Sequence, residues 1–124
     1  MNVSIAYPSA SVYRLITVDR FFQRLVGLMG RKSIDPRHVY HFVPCNSIHT
    51  FGMAVPLTVI FLDRQFRVLR VIKHLAPARV AWHCRACSVL ELRTGSITSN
   101  RQARELVALL LPSDAVRKNG WPDH

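Results

Sequence analysis

The chain is short of acid: 7 of its 124 residues are Asp or Glu, against 17 Lys or Arg, which leaves a formal net charge of +10. Neither a paired-carboxylate motif nor a Gly-rich phosphate loop nor a nucleotide-binding fingerprint occurs in it. Long apolar runs are missing too. Val107 to Leu111 is among the longest, far below the roughly 20 residues a membrane span needs, so no membrane span is expected. The first residues, MNVSIAYPSASVYR, show neither a charged leader nor the apolar stretch of about 7–15 residues that makes a secretory signal, and the expectation is a cytoplasmic protein. Three cysteines are too few, and odd in number, for a disulfide framework. There is no internal repeat or low-complexity segment. What remains is a 49% hydrophobic chain of single-domain size, residues 1–124, long enough to enclose one core.

Excess positive charge favours polyanions when it is gathered on one face. Here the arginines run from Arg14 to Arg117, and the one dense group, Arg64, Arg67, Arg70 and Lys73, falls on a strand-like segment whose only aromatic is Phe66. No RNA-recognition, helix-turn-helix or zinc-finger signature accompanies it. The charge therefore reads as a solvated basic surface with no specific nucleic-acid partner, and a basic nucleic-acid-associated protein stands as a second alternative function.

Hydrophobic patterning predicts a mostly β chain. Val12 to Val18 is β-branched and aromatic enough for an opening strand. Phe21, Phe22, Leu25, Leu28 and Met29 recur at helical spacing and predict a short helix over 20–29, with Gly30 suited to its end. Val39–Val43, Leu57–Leu62, Phe66–Ile72 and Val89–Leu92 read as strands, the second buried on both faces, with a hairpin turning at Asp63–Gln65. Ser99 and Gln102 form a capping-box pattern ahead of the stripe Ala103, Leu106, Val107, Leu110, so a second helix is expected over 99–111, followed by a loose tail over 112–124.

Three segments in order, RLVGLMGR at 24–31, HTFGMAVPLTVIFLD at 49–63 and VLELRTG at 89–95, resemble domain-of-unknown-function family 192, small bacterial and archaeal proteins, and in particular a subgroup with a CNSIHTFGM-type loop. The resemblance covers about residues 18–97. It implies an α+β, mostly β fold, a compact barrel-like sheet with one short N-terminal helix and one C-terminal helix packed against it. It implies no established chemistry. The family pattern carries aspartate where this chain has Thr58, and its commoner form reads FWMKNT before the PLD segment, so any role of that carboxylate is lost or moved here.

The polar stretch PCNSIHTFGM, Pro44 to Met53, is the densest collection of reactive side chains. In a regular strand Cys45 and His49 would share a face but stand about 13 Å apart. A turn at Asn46 and Ser47 would bring them together in the geometry that activates a thiolate, which makes a cysteine-dependent enzyme one alternative. Adding Cys84 and Cys87 of the WHCRAC segment to Cys45 and His49 gives four ligands of the kinds zinc prefers. The leading expectation is neither. It is a binding or accessory module, without cofactor, for an unknown small molecule or protein, with a polar pocket from Cys45, Asn46, Ser47, His49, Thr50, Met53 and Glu91. Glu91 alternates with Leu90 and Leu92 and is a candidate ion-pair partner of Arg24 or Arg31. Gly27, Pro56, Asp63 and Gly95, with those two arginines, are expected to serve the fold.

Overall fold

The computed structural model describes residues 2–6, 12–19 and 34–112. Its strands are β1 (Asn2–Ala6), β2 (Val12–Asp19), β3 (His38–Val43), β4 (Ser47–His49), β5 (Leu57–Leu62), β6 (Val68–Leu75), β7 (Val80–Trp82) and β8 (Ser88–Arg93), and its helix α1 is Asn100–Leu110. The helix expected over 20–29, with Arg24, Gly27 and Arg31, lies outside the described residues. It falls in the connection between β2 and β3, which pair in parallel and so require a crossover.

Six strands form one mixed sheet in the order β1-β2-β3-β8-β5-β6, and β4 pairs with β7 in a separate two-stranded ribbon. The sheet is open. Its end strands β1 and β6 do not meet, which corrects the expectation of a barrel: the residues that might have continued the sheet instead make the ribbon, and each face of the sheet is covered rather than curled on itself. Strands β1, β4 and β7 were not expected. The last two are three residues long, too short to show a period of two.

β3 and β8 lie at the centre of the sheet with β5 beside β8, and every residue of β5 is buried, as a run that is apolar at every position but Thr58 requires. Alternation then divides the core. On one face Leu57, Val59, Phe61, Val89, Tyr40 and Phe42 gather with Ile48 and Ala81 of the ribbon. On the other, Ile60, Leu62, Leu90, Leu92 and Val39 pack with Ala103, Leu106, Val107 and Leu110 of α1. The helix starts where its cap places it. Ser99 Oγ accepts from the Gln102 amide at 3.1 Å, and Gln102 Oε1 turns back to the amide and hydroxyl of Thr98, both at 2.8 Å. The amide of the cap residue Leu111 donates to Val107 O. Among the described residues no helix is long and apolar enough to cross a membrane.

The β5–β6 hairpin turns over a longer loop than Asp63–Gln65. Asp63 Oδ1 accepts from the amides of Gln65 and Arg67, Oδ2 receives Arg67 Nε at 2.7 Å, and Phe66 closes the turn at φ 60° with its ring buried. The carboxylate thus organises the turn.

Candidate functional site

The chain from Cys45 to Thr50 alternates between bonding inward and pointing outward. The Cys45 side chain is buried and its Sγ donates to Ser47 O at 3.0 Å, while its amide donates to Cys87 O at 2.9 Å. Asn46 is exposed, and its carbonyl accepts from the His83 amide. β4 follows, paired antiparallel with β7: Ser47 opposite Trp82, Ile48 opposite Ala81, His49 opposite Val80. Ile48 and Ala81 face the core, so the period of two sends Ser47, His49, Val80 and Trp82 to the outer face.

Thr50 fastens the far end of the ribbon. It is fully buried, its hydroxyl donates to Ala76 O at 2.6 Å and accepts from the Arg79 amide at 2.8 Å, and its carbonyl accepts from Ala78 and Met53. Its polarity is spent on backbone. Met53 is half-buried against the core cluster, and Glu91 is 5% exposed on β8, opposite Tyr40 and Val59.

Cys45 and His49 are not brought together. The thiol is engaged with backbone beneath the ribbon, whereas the imidazole is exposed and stacks on Phe51 at 5.4 Å and 28°. The four-ligand arrangement fares similarly. The main chains of Cys45 and Cys87 do meet, but Cys87 Sγ is directed at Arg85 O at 3.9 Å, Cys84 is exposed, and His83 Nδ1 accepts from the Arg85 amide. Among the described residues no group of three or more His, Cys, Asp or Glu is placed to hold a metal ion.

Two features were not anticipated. The outer face of the ribbon presents Phe51, Val80 and Trp82 at 51%, 52% and 64% exposure, the large apolar side chains most open to water among the described residues. Their positions on strands too short to recognise hid their direction, although the aromatic content of VAW was there to be read. The second is a cleft of about 690 Å³ between residues 34–37, the Val55–Pro56 end of the polar loop, and the end of β8.

Near it Asp35 accepts from the Arg37 amide at 2.8 Å and from its guanidinium at 3.0 and 3.2 Å. Those bonds hold the Asp35 carboxyl well below the usual carboxylate range and raise Arg37. On the helix-covered face, His41 is 2% exposed against the Phe66 ring, and burial lowers it to about 4. Thr58 shares that face. Its hydroxyl donates to Lys73 O, and the sheet separates it from Glu91.

The described residues define a small α+β protein with an open mixed sheet, a covering helix and an aromatic ribbon that stands on the opposite face. The chain belongs to domain-of-unknown-function family 192, described as an uncharacterized ACR, whose model matches residues 5–103. No curated protein matches it. Two solved structures share the fold. One is a protein of unknown function from Novosphingobium aromaticivorans DSM 12444, 20% identical, with 77% of this chain and 74% of that chain covered and a TM-score of 0.62. The other, from Sinorhizobium meliloti 1021, is described as a "putative transcription regulator". It is 19% identical over 82% of this chain and 84% of that one, with a TM-score of 0.63.

Proposed function

We propose that the protein is a small binding module whose contact surface is the outer face of the β4–β7 ribbon, and that it holds single-stranded nucleic acid there. The carrying observation is the joint exposure of Trp82, Phe51 and His49, with Trp82 inside an acid-free basic stretch. From Arg64 to Leu90 the sequence has Arg64, Arg67, Arg70, Lys73, Arg79 and Arg85 and no Asp or Glu. Arg79 immediately precedes β7, Arg85 follows it by three residues, and both are exposed.

Flat rings over which bases stack, set among guanidinium groups that meet phosphates, are what non-sequence-specific single-strand binders require. The expectation of a solvated basic surface rested on the spread of the arginines, the lack of a recognition motif and the lack of an aromatic platform, and the exposed ribbon rings bear on the last of these. Cys45, Asn46 and Thr50 then serve by holding the ribbon, and Ser47 and His49 by lining its face.

The test is fluorescence anisotropy with a labelled oligo(dT) 20-mer, with Trp82 emission followed in a Trp121→Phe background so that one indole reports. Binding in the micromolar range at about 50 mM salt is expected, weakening steeply as salt rises. Trp82→Ala should weaken it about tenfold through lost stacking. Unquenched Trp82 emission on saturation, or equal affinity of the Trp82→Ala protein, would overturn the reading.

A further inference from the structure

We infer that the ribbon face prefers pyrimidine-rich single strands, because it holds two separate stacking platforms that no pair of mutually stacked bases can cover. This deepens the single-strand reading above and rests on it. The first platform is the exposed Trp82 ring. The second is the pair His49 and Phe51, both exposed, whose rings stack on each other at 5.4 Å and 28°.

Strand register fixes their separation. Ser47 lies opposite Trp82 and His49 opposite Val80, so Trp82 and His49 are diagonal neighbours on the outer face. Two residues along the ribbon and one strand across it put their Cα atoms about 8 Å apart. Phe51 lies farther still from Trp82, beyond Thr50, whose amide donates to Arg79 O. Among the described residues the Trp82 ring contacts neither His49 nor Phe51. Val80 and Ser47 occupy the other two corners of the face, and neither offers a flat ring to a base.

Stacked neighbouring bases are about 3.4 Å apart. A strand that uses both platforms must therefore open the step between two bases and lay one on each. The cost of opening falls on the strand and depends on its composition, being larger for adenines, which stack well on one another, than for thymines. On a lone ring the order would not favour thymine, since the larger purine buries more ring area. The opened step also spreads its phosphate over the face. Arg79, adjacent to Val80 in the chain and exposed, has only Ala78 O, at 3.4 Å, as a side-chain partner, and a guanidinium so placed suits a phosphate oxygen. The preference is one of composition, with no base edge read.

Anisotropy titrations of the full chain with labelled oligo(dT) and oligo(dA) 20-mers, at about 50 mM salt, test it. Oligo(dT) should bind about threefold tighter or more. Removing the second platform, with His49→Ala and Phe51→Ala together, should weaken oligo(dT) and leave oligo(dA) within about twofold, so that the preference disappears. Trp82→Ala, which removes the first platform, should abolish the preference as well. All three side chains are exposed, and an unchanged far-ultraviolet spectrum of each variant checks that the fold is kept. If neither oligonucleotide binds the parent protein, the single-strand reading falls and this inference with it. If both bind but oligo(dA) is equal or tighter, or if the preference survives the loss of either platform, the inference alone is overturned.

Discussion

Individual residues in this protein repeatedly take their role from the face they land on. His41, on β3, lies 2% exposed among Leu90, Phe66 and the helix side of the core, and its Nε2 has no hydrogen-bond partner. Burial therefore favours its neutral form and lowers its pKa from 6.5 to about 4. The unfolded chain takes up a proton between those values while the folded chain does not. Stability is full above about pH 6.5, falls as pH drops toward 4, and flattens below it, with a total loss of roughly 3 kcal/mol. His41→Leu should remove that slope in urea titrations between pH 7 and 4; an unchanged slope would place the titration elsewhere. The cysteines divide in the same way. Cys84 is exposed and Cys45 buried, so iodoacetamide on the native protein should modify Cys84 first and reach Cys45 only under denaturant, as mass spectrometry of the peptides would show.

Among the elements, the ribbon is the one most dependent on a single side chain. Its three-residue strands supply few ladder bonds, and Thr50 closes it to residues 76–79 by its hydroxyl as well as its backbone. Thr50→Val keeps the volume but leaves the Arg79 amide and Ala76 carbonyl without that partner, at a cost of about 1–3 kcal/mol. Amide exchange should speed up at Ile48 and Ala81 while β5 and β8 stay protected. Uniform loss of protection across the sheet would contradict a local fastening. Helix α1 depends on its cap in a more ordinary way, and Ser99→Ala should lower stability by about 1 kcal/mol in chemical denaturation. Gly95, at φ +94° with open space around its Cα, is required by backbone conformation and not by crowding.

Over the whole molecule, stability comes from covering both faces of the β8–β5 strand pair. Helix α1 seals one face of β5 and β8 through Leu106, which is fully buried. Leu106→Ala should destabilise by about 2–5 kcal/mol, and sheet and helix, which share one core cluster, should still unfold in one transition. Two separable transitions would mean that the helix is an appendage. The ribbon covers the opposite face through Ile48 and Ala81, and along the chain from Pro36 to Leu90 the only carboxylate is Asp63, which is held by Arg67.

The central strands, the terminal helix with its cap and the membership in family 192 were legible in the order of residues, because each rests on local periodicity or on contiguous motifs. Leu57–Leu62 matches its expected bounds, and the family match extends somewhat beyond the expected 18–97. Closure of the sheet was not legible: whether edge strands meet depends on pairings between distant segments, and β2 against β3 in parallel leaves no local trace. Nor was the direction of Cys45 and His49. A spacing of four residues is compatible with a shared pocket or with opposite sides of a ribbon. Pairing Ser47 with Trp82 chose the second, because Ile48 and Ala81 gain a dry core only when their neighbours turn to water.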